Sequence, residues 1–221
     1  QPFAGNIIPG SRLSSISRNF LQFLPTPNNV GGADGTNNYF NNAVRSDVFS
    51  SFMGRIDWNV SDSHKLFLQA VDDRIENRGN RFSNIATGNN LLRQNWGVTL
   101  DDVYTLTPTM FLNTRLNWTR FTEGGIRQSD GFNWTTLGLP ASLAASSAKF
   151  VLPRIDFSNA QDFGDSGGDR TPFDSYQIFM AATKILGQHT LKFGTDLRTQ
   201  RESSNSFGNS SGQIGRASCR E

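Results

Sequence analysis

A period of two constrains this chain more than any other feature. From Phe52 to Asn59, one parity carries Phe52, Gly54, Ile56 and Trp58, and the other carries Met53, Arg55, Asp57 and Asn59. A strand sends successive side chains to opposite faces, so the pattern makes a β-strand with one apolar and one polar face. Ser61-Asp62-Ser63 then turns the chain, and Lys65 to Asp73 runs back, although Phe67 and Val71 fall on the Gln69 parity. A second pair alternates Trp96, Val98, Leu100, Tyr104 and Leu106 against polar neighbours, with Asp102 breaking the apolar set. Past Thr107-Pro108-Thr109, the residues Leu112, Leu116 and Trp118 oppose Asn113, Arg115 and Asn117. A third pair joins Tyr176–Ile185, whose parity is unreadable, to a return with Leu191, Phe193 and Leu197 against Lys192, Asp196 and Arg198.

The spacing predicts hairpins near residues 49–77, 95–122 and 176–202, with strands of 9–12 residues and turns of three or four. The connections between hairpins are long, over 78–94 and 123–175. Such lengths are awkward in a compact soluble domain but ordinary in an outer-membrane barrel, whose turns are short on one side and loops long on the other. The expected fold is therefore all-β: a fragment of an antiparallel transmembrane β-barrel, three hairpins forming a curved open sheet with long loops. Trp58, Trp118 and Tyr104, placed near strand ends, suit the aromatic girdles of such a wall.

Composition agrees with half-wet strands. Hydrophobic residues are 36% and charged residues 18%, both below globular averages, yet there are 18 Phe. Disorder is poor in aromatics and rich in net charge, so it does not account for the deficit. No stretch approaches the length of a membrane-crossing helix, whereas a spanning strand needs only about ten alternating residues. The formal charge of +2 is too small to point to nucleic acid.

Residues 1–48 read as a loop segment with one short helix, since Leu13, Ile16, Phe20 and Leu24 recur at helical spacing before Pro25-Thr26-Pro27. Residues 49–213 hold the partial barrel. The tail Ile214-Gly215-Arg216-Ala217-Ser218-Cys219-Arg220-Glu221 matches the translation of a common sequencing adapter, so residues 214–221 are expected to be read-through and not native. The one cysteine, Cys219, falls in that tail and gives no basis for thiol or metal chemistry.

Catalytic signals are sparse. His64 and His189 each follow a short turn, with no partner at motif spacing, and are expected to be structural. Neither Gly-x-Ser-x-Gly nor a phosphate loop occurs, so no enzyme activity and no cofactor is expected. Asp162, Asp165 and Asp169 could gather oxygen ligands for calcium, but a solvated acidic turn fits their spacing better. Phe132, Trp134, Phe157 and Phe163 could stack on a ligand or form the long loop's own core. Arg55, Asp57, Arg115, Lys192, Asp196 and Arg198 fall on the parity that would line a barrel lumen, where cross-strand pairing is their simplest role.

Three phrases carry a family resemblance. Pro2-Phe3-Ala4-Gly5-Asn6-Ile7-Ile8-Pro9-Gly10-Ser11-Arg12 with Phe23-Leu24-Pro25-Thr26-Pro27-Asn28 resembles the "PFPGNIIPASR…YPxPN" passage of Oar-like TonB-dependent receptors of acidobacterial type. Gly54 to Phe67 is similar to their "GRIDxNxSDKHxLF" hairpin, and Gly187 to Gly194 to their "GKHTLKFG" hairpin. The resemblance implies a Gram-negative outer-membrane location and energy-coupled uptake of a ligand. It also implies, as partners, membrane lipid, TonB, and a plug and further strands of a full-length chain with a barrel of about 22 strands. It leaves the ligand unknown. The alternative is a secreted β-rich adhesin or carbohydrate-binding module, which would seal its apolar faces inside a sandwich instead of turning them to lipid.

Overall fold

The computed structural model describes residues 3–79, 84–158, 161–166 and 168–215. Six long strands dominate: β1 (Ser46–Ser61), β2 (His64–Gly79), β3 (Asn89–Thr107), β4 (Met110–Arg127), β6 (Asp169–Leu186) and β7 (His189–Glu202). Short strands β5 (Arg154–Ile155), β8 (Asn205–Ser206) and β9 (Gln213–Ile214) complete the set. The long strands form one antiparallel sheet in the order β1-β2-β3-β4-β6-β7, with β8 added against β6, and β5 pairs separately with β9. The three expected hairpins are present, and the sheet stays open between β1 and β7.

Element boundaries differ from the sequence reading in one direction. Strands run to between 14 and 19 residues, not 9–12, and their added length lies mostly at the loop end. The connection expected over 78–94 narrows to 80–88, and that over 123–175 to 128–168. The three hairpin turns are two residues each, at 62–63, 108–109 and 187–188. In the last of these Gly187 takes φ 60°, a left-handed conformation that suits glycine. The Thr105 amide donates to the Ser63 carbonyl at 2.7 Å and the Ile185 amide to the Thr109 carbonyl at 2.8 Å, so neighbouring turns meet at one end of the sheet.

The sheet has a face, not a core. Cross-strand partners place Ile56, Leu68, Leu100, Leu116, Ile178 and Leu197 in a single row on one side. The next row, on the opposite side, is Arg55, Gln69, Thr99, Asn117, Gln177 and Arg198. Six aliphatic residues thus back onto six polar ones. Toward the loop end the apolar side closes on a row of Phe52, Asp72, Trp96, Arg120, Asp174 and Arg201, where charge first appears across the sheet. Trp58 and Tyr104 lie toward the turn end, but Trp118 sits in mid-strand, paired with Val98 and Tyr176. It joins Trp96 and Tyr176 near the charged row, so the rim it supplies is on the loop side.

Burial is concentrated in the loops. Helix α1 (Ser15–Leu21) forms where the Leu13–Leu24 spacing placed a helix, and Ser14 caps it by accepting from the Ser17 amide at 3.0 Å. Its Phe20 packs with Ala86, Leu137, Leu152 and Phe163, flanked by Ile16, Phe23, Phe132 and Ile155. The N-terminal segment, residues 84–88 and the 128–168 connection therefore share one small core. Backbone ties hold it to the adjacent connection: Gly164 donates to the Ala86 carbonyl at 2.8 Å. Gly164 has φ 79° and presses against the Pro153 carbonyl, leaving no room for a Cβ. No helix among the described residues is long and apolar enough to cross a membrane. Of the tail set aside in the sequence, Ile214 ends β9, and residues 216–221 lie outside the described residues.

Candidate functional site

Two regions hold the residues singled out by sequence: the polar side of the sheet and the loop layer above it. Arg55, Asp57, Arg115, Lys192, Asp196 and Arg198 all occupy the polar side. The common face survives a change of parity between β6 and β7, where Phe173 pairs with Glu202. Arg55 bonds Asp57 at 2.6 Å and lies 3.9 Å from the Phe67 ring centroid. Phe67, which disturbed the alternation of β2, thus gives a guanidinium an aromatic surface. Arg115 bonds Asp101 at 2.6 Å, and Asn113 donates to the same carboxylate at 2.9 Å. Asp101 is 3% exposed, and these bonds satisfy a charge that burial would otherwise penalise strongly.

Other polar residues continue the wall. Thr99 donates to Asn117 at 2.7 Å, Gln177 donates to Asp196 at 2.8 and 2.9 Å, and Ser51 donates to Asp73 at 2.6 Å. Arg93 pairs with Glu123. Asp101, Asn113 and Gln177 were absent from the sequence-derived set, because parity marks a face but pairing needs the register. Lys192 remains exposed, with no ion pair among the described residues. The wall is hydrogen-bonded within itself and presents an array of amide, hydroxyl and charged groups able to contact a polar solute.

The loop aromatics have separate fates. Trp134 is 2% exposed and its indole donates to the Val151 carbonyl at 2.7 Å. Phe163 is 2% exposed and meets Phe20 edge-on at 6.3 Å between centroids. Both spend their surfaces inside the loop layer and have none left to stack on a ligand. Phe132 is half-buried, edge-on to Phe23 at 5.6 Å. Of these four, only Phe157, 39% exposed and stacked on Phe163 at 5.9 Å, still offers a ring to solvent.

The acidic residues of this connection point to different partners. Asp162 accepts from the Phe157 amide at 2.9 Å and faces Arg154 at 3.4 Å, Asp165 faces Arg127 at 3.4 Å, and Asp169 opens β6. Among the described residues no group of three metal-binding side chains converges. The Arg154 hydrogen bond, aided by Gln213, holds the Asp156 carboxyl below its ordinary value. Burial pushes Asp165 up, against the pull of Arg127 and Arg154. His64 sits on the apolar side near the turn end, its Nε2 2.8 Å from Asp102 and its ring edge-on to Tyr104. Asp102, which broke the apolar pattern, lies beside that ring across the strand pair.

A family model described as an outer membrane beta barrel domain matches residues 1–218. The chain belongs to that family. A barrel of this kind sits in the outer membrane, and the exposed aliphatic row is what its lipid-facing side requires. No curated protein matches this chain, and no solved structure does.

Proposed function

We propose that this stretch is barrel wall of a TonB-dependent receptor of the Oar-like type, moving a ligand across the outer membrane with energy delivered through TonB. The observation that carries the barrel is the pair of adjacent rows, one wholly aliphatic and one wholly polar, on a single-layered sheet. A secreted adhesin or carbohydrate-binding sandwich would bury the first row under a second sheet, yet Ile56 and Leu197 lie 69% and 62% exposed. The uptake reading rests on the three receptor-like phrases around Asn6, Arg55 and Thr190.

In this reading the polar row lines the lumen, and Arg55, Asp57, Arg115, Lys192, Asp196 and Arg198 meet plug or solute there. Backbone groups at a sheet edge cannot stay unpaired in hydrocarbon, so β1 and β7 pair with further strands of the same full-length chain. The two-residue turns face the periplasm and the loop layer faces outward, following the usual asymmetry of such barrels. Ligand then arrives at the loop layer, where Phe150 and Phe157 keep aromatic surface open. The protein acts by binding and passage, with no covalent step.

The test is coupling. The full-length outer-membrane protein, folded in detergent and checked by heat-modifiable gel mobility, is titrated with the purified periplasmic domain of TonB. Saturable binding is expected. A correctly folded barrel that does not bind TonB would overturn the receptor assignment and leave the barrel intact.

A further inference from the structure

At and above the charged row, the lipid-facing side carries arginines that differ in one respect. Arg74 pairs with Asp72 at 2.9 Å, Arg78 with Glu76 at 2.8 Å, and Arg120 with Asp174 at 3.7 Å. Arg170, on the same side of β6, has no carboxylate partner among the described residues, and neither has Lys149 from the 128–168 connection. These two cations line one cavity of about 390 Å³, together with Gln94, Thr122, Asn205 and Phe207. No carboxylate contributes to its wall.

The cavity is built by the fold. Its floor is the upper, lipid-facing end of β3, β4 and β6, which supply Gln94, Thr122 and Arg170. Its roof is the loop layer, where Ser147 donates to the Ser210 carbonyl at 2.6 Å and so joins the segment bearing Lys149 to the one that follows Phe207. The Lys149 ammonium lies 5.0 Å from the centroid of the Phe207 ring. Thr122 is 7% exposed, and its buried hydroxyl has no hydrogen-bond partner among the described residues. Leu92, Ile126 and the glycine backbone at Gly124, Gly125 and Gly168 complete the lining, and a Cβ on Gly168 would come within 2.7 Å of the Gly125 carbonyl.

We infer that this cavity holds the phosphate-bearing sugar headgroup of a glycolipid in the outer leaflet. Two cations facing no anion select an anion, and a guanidinium beside an ammonium suits phosphate oxygens. The Gln94 amide nitrogen already donates to Asp72 at 3.0 Å, which leaves its oxygen to accept from a sugar hydroxyl, and Asn205 supplies an amide that both donates and accepts. Position decides between a lipid and a transported solute. The cavity opens on the apolar side of the sheet, above Trp96 and Trp118, so acyl chains leaving it would run down over Leu100 and Leu116. A transported solute would meet the opposite, polar face. The inference rests on the barrel and on its outward-facing loops, not on coupling to TonB.

The full-length protein, folded in detergent, is titrated with three probes: lipid A, which is a phosphorylated glucosamine disaccharide carrying acyl chains; its dephosphorylated form; and free glucosamine 1-phosphate. Lipid A should bind, and the other two should bind at least about tenfold more weakly. The double substitution Lys149→Gln/Arg170→Gln should weaken lipid A binding at least about tenfold, whereas Lys149→Arg/Arg170→Lys should restore most of it. Arg74→Gln, at a paired site, should change it less than about twofold. Heat-modifiable mobility confirms that each variant is folded. Equal binding by the charge-removing variant overturns the site, and equal binding of glucosamine 1-phosphate overturns the lipid source. Labelling Asn209→Cys on intact cells with an impermeant maleimide tests the topology separately. If that cysteine is reached only after the outer membrane is opened, the leaflet assignment falls whatever the titration shows.

Discussion

The middle of the sheet and the loop layer above it use similar residues in opposite ways. In the sheet, Ile56, Leu116 and Leu197 keep much of their surface open, and their apolar neighbours lie beside them on the same face with no second layer over them. In the loops, Leu137, Leu152 and Phe163 are closed off by residues from three separate segments. The loop layer supplies its own apolar surroundings, while the sheet depends on a membrane to supply them. Burying one such side chain favours folding by about 1.5–3 kcal/mol wherever the apolar medium comes from. The two regions should therefore respond differently when the solvent is changed and when a side chain is removed.

The largest effect is expected in the loop layer. Trp134→Ala empties a buried indole site and leaves the Val151 carbonyl without its donor, which should cost the local fold about 3–5 kcal/mol. Protease added to intact cells should then cut within residues 128–168, while heat-modifiable mobility of the inserted barrel is unchanged. Loss of barrel insertion in this variant would mean that the two regions fold as one cooperative unit, and the contrast would collapse.

The sheet is probed by charge. Leu116→Arg places a cation in the aliphatic row and should destabilise the full-length barrel by about 2–4 kcal/mol in a lipid refolding titration, the range for a site near the bilayer midplane. Asn117→Arg, one residue along and on the polar face, should cost little. The difference should vanish for urea unfolding of the loop layer alone, because neither position touches it. Equal losses at both positions in lipid would contradict the assignment of faces.

Much of this was legible in the sequence because strand alternation is local. The Phe52–Asn59 and Leu112–Trp118 patterns set their faces without any knowledge of neighbours. The failures have physical causes. Phe67 broke the pattern of β2 because it packs against Arg55 on the polar side. Asp102 broke that of β3 because His64 meets it across the strands. In β6, Ala181, Ala182 and Thr183 are all buried on alternating faces, so no parity stands out. The upper ends of β3 and β4 read as loop because Asn89 to Gln94 and Glu123 to Arg127 carry no apolar–polar alternation. The candidate aromatics could not be sorted at all: Trp134, Phe157 and Phe163 lie where no period repeats, and only contacts with α1 and residues 84–88 separate the buried from the open. The Lys149–Arg170 cavity was equally hidden, since it joins residues from five segments.

The smallest predicted effect sharpens the comparison from the loop side through pH. Burial raises the Asp165 carboxyl above its ordinary value, so the folded loop holds that proton more firmly than the unfolded chain does. Its contribution is greatest where the group is protonated, and declines as pH rises from the unfolded value of about 4 through the raised folded value. Asp156 acts in the opposite sense. Its carboxyl is lowered by Arg154 and then by Gln213, so its contribution is present above the unfolded value and disappears as pH falls through the lowered one. Hydrogen exchange at the Gly164 amide, which bonds the Ala86 carbonyl, reports opening of this part of the loop once the intrinsic pH dependence is removed. Protection should increase as pH is lowered from neutral toward the unfolded value of about 4, and Asp165→Asn should flatten that slope while Asp156→Asn leaves it in place. Amides in the middle of β3 and β4 should show no such slope, since the lipid-dependent part of the wall does not contain Asp165. An unchanged slope in Asp165→Asn would show that another group controls the loop's response to acid.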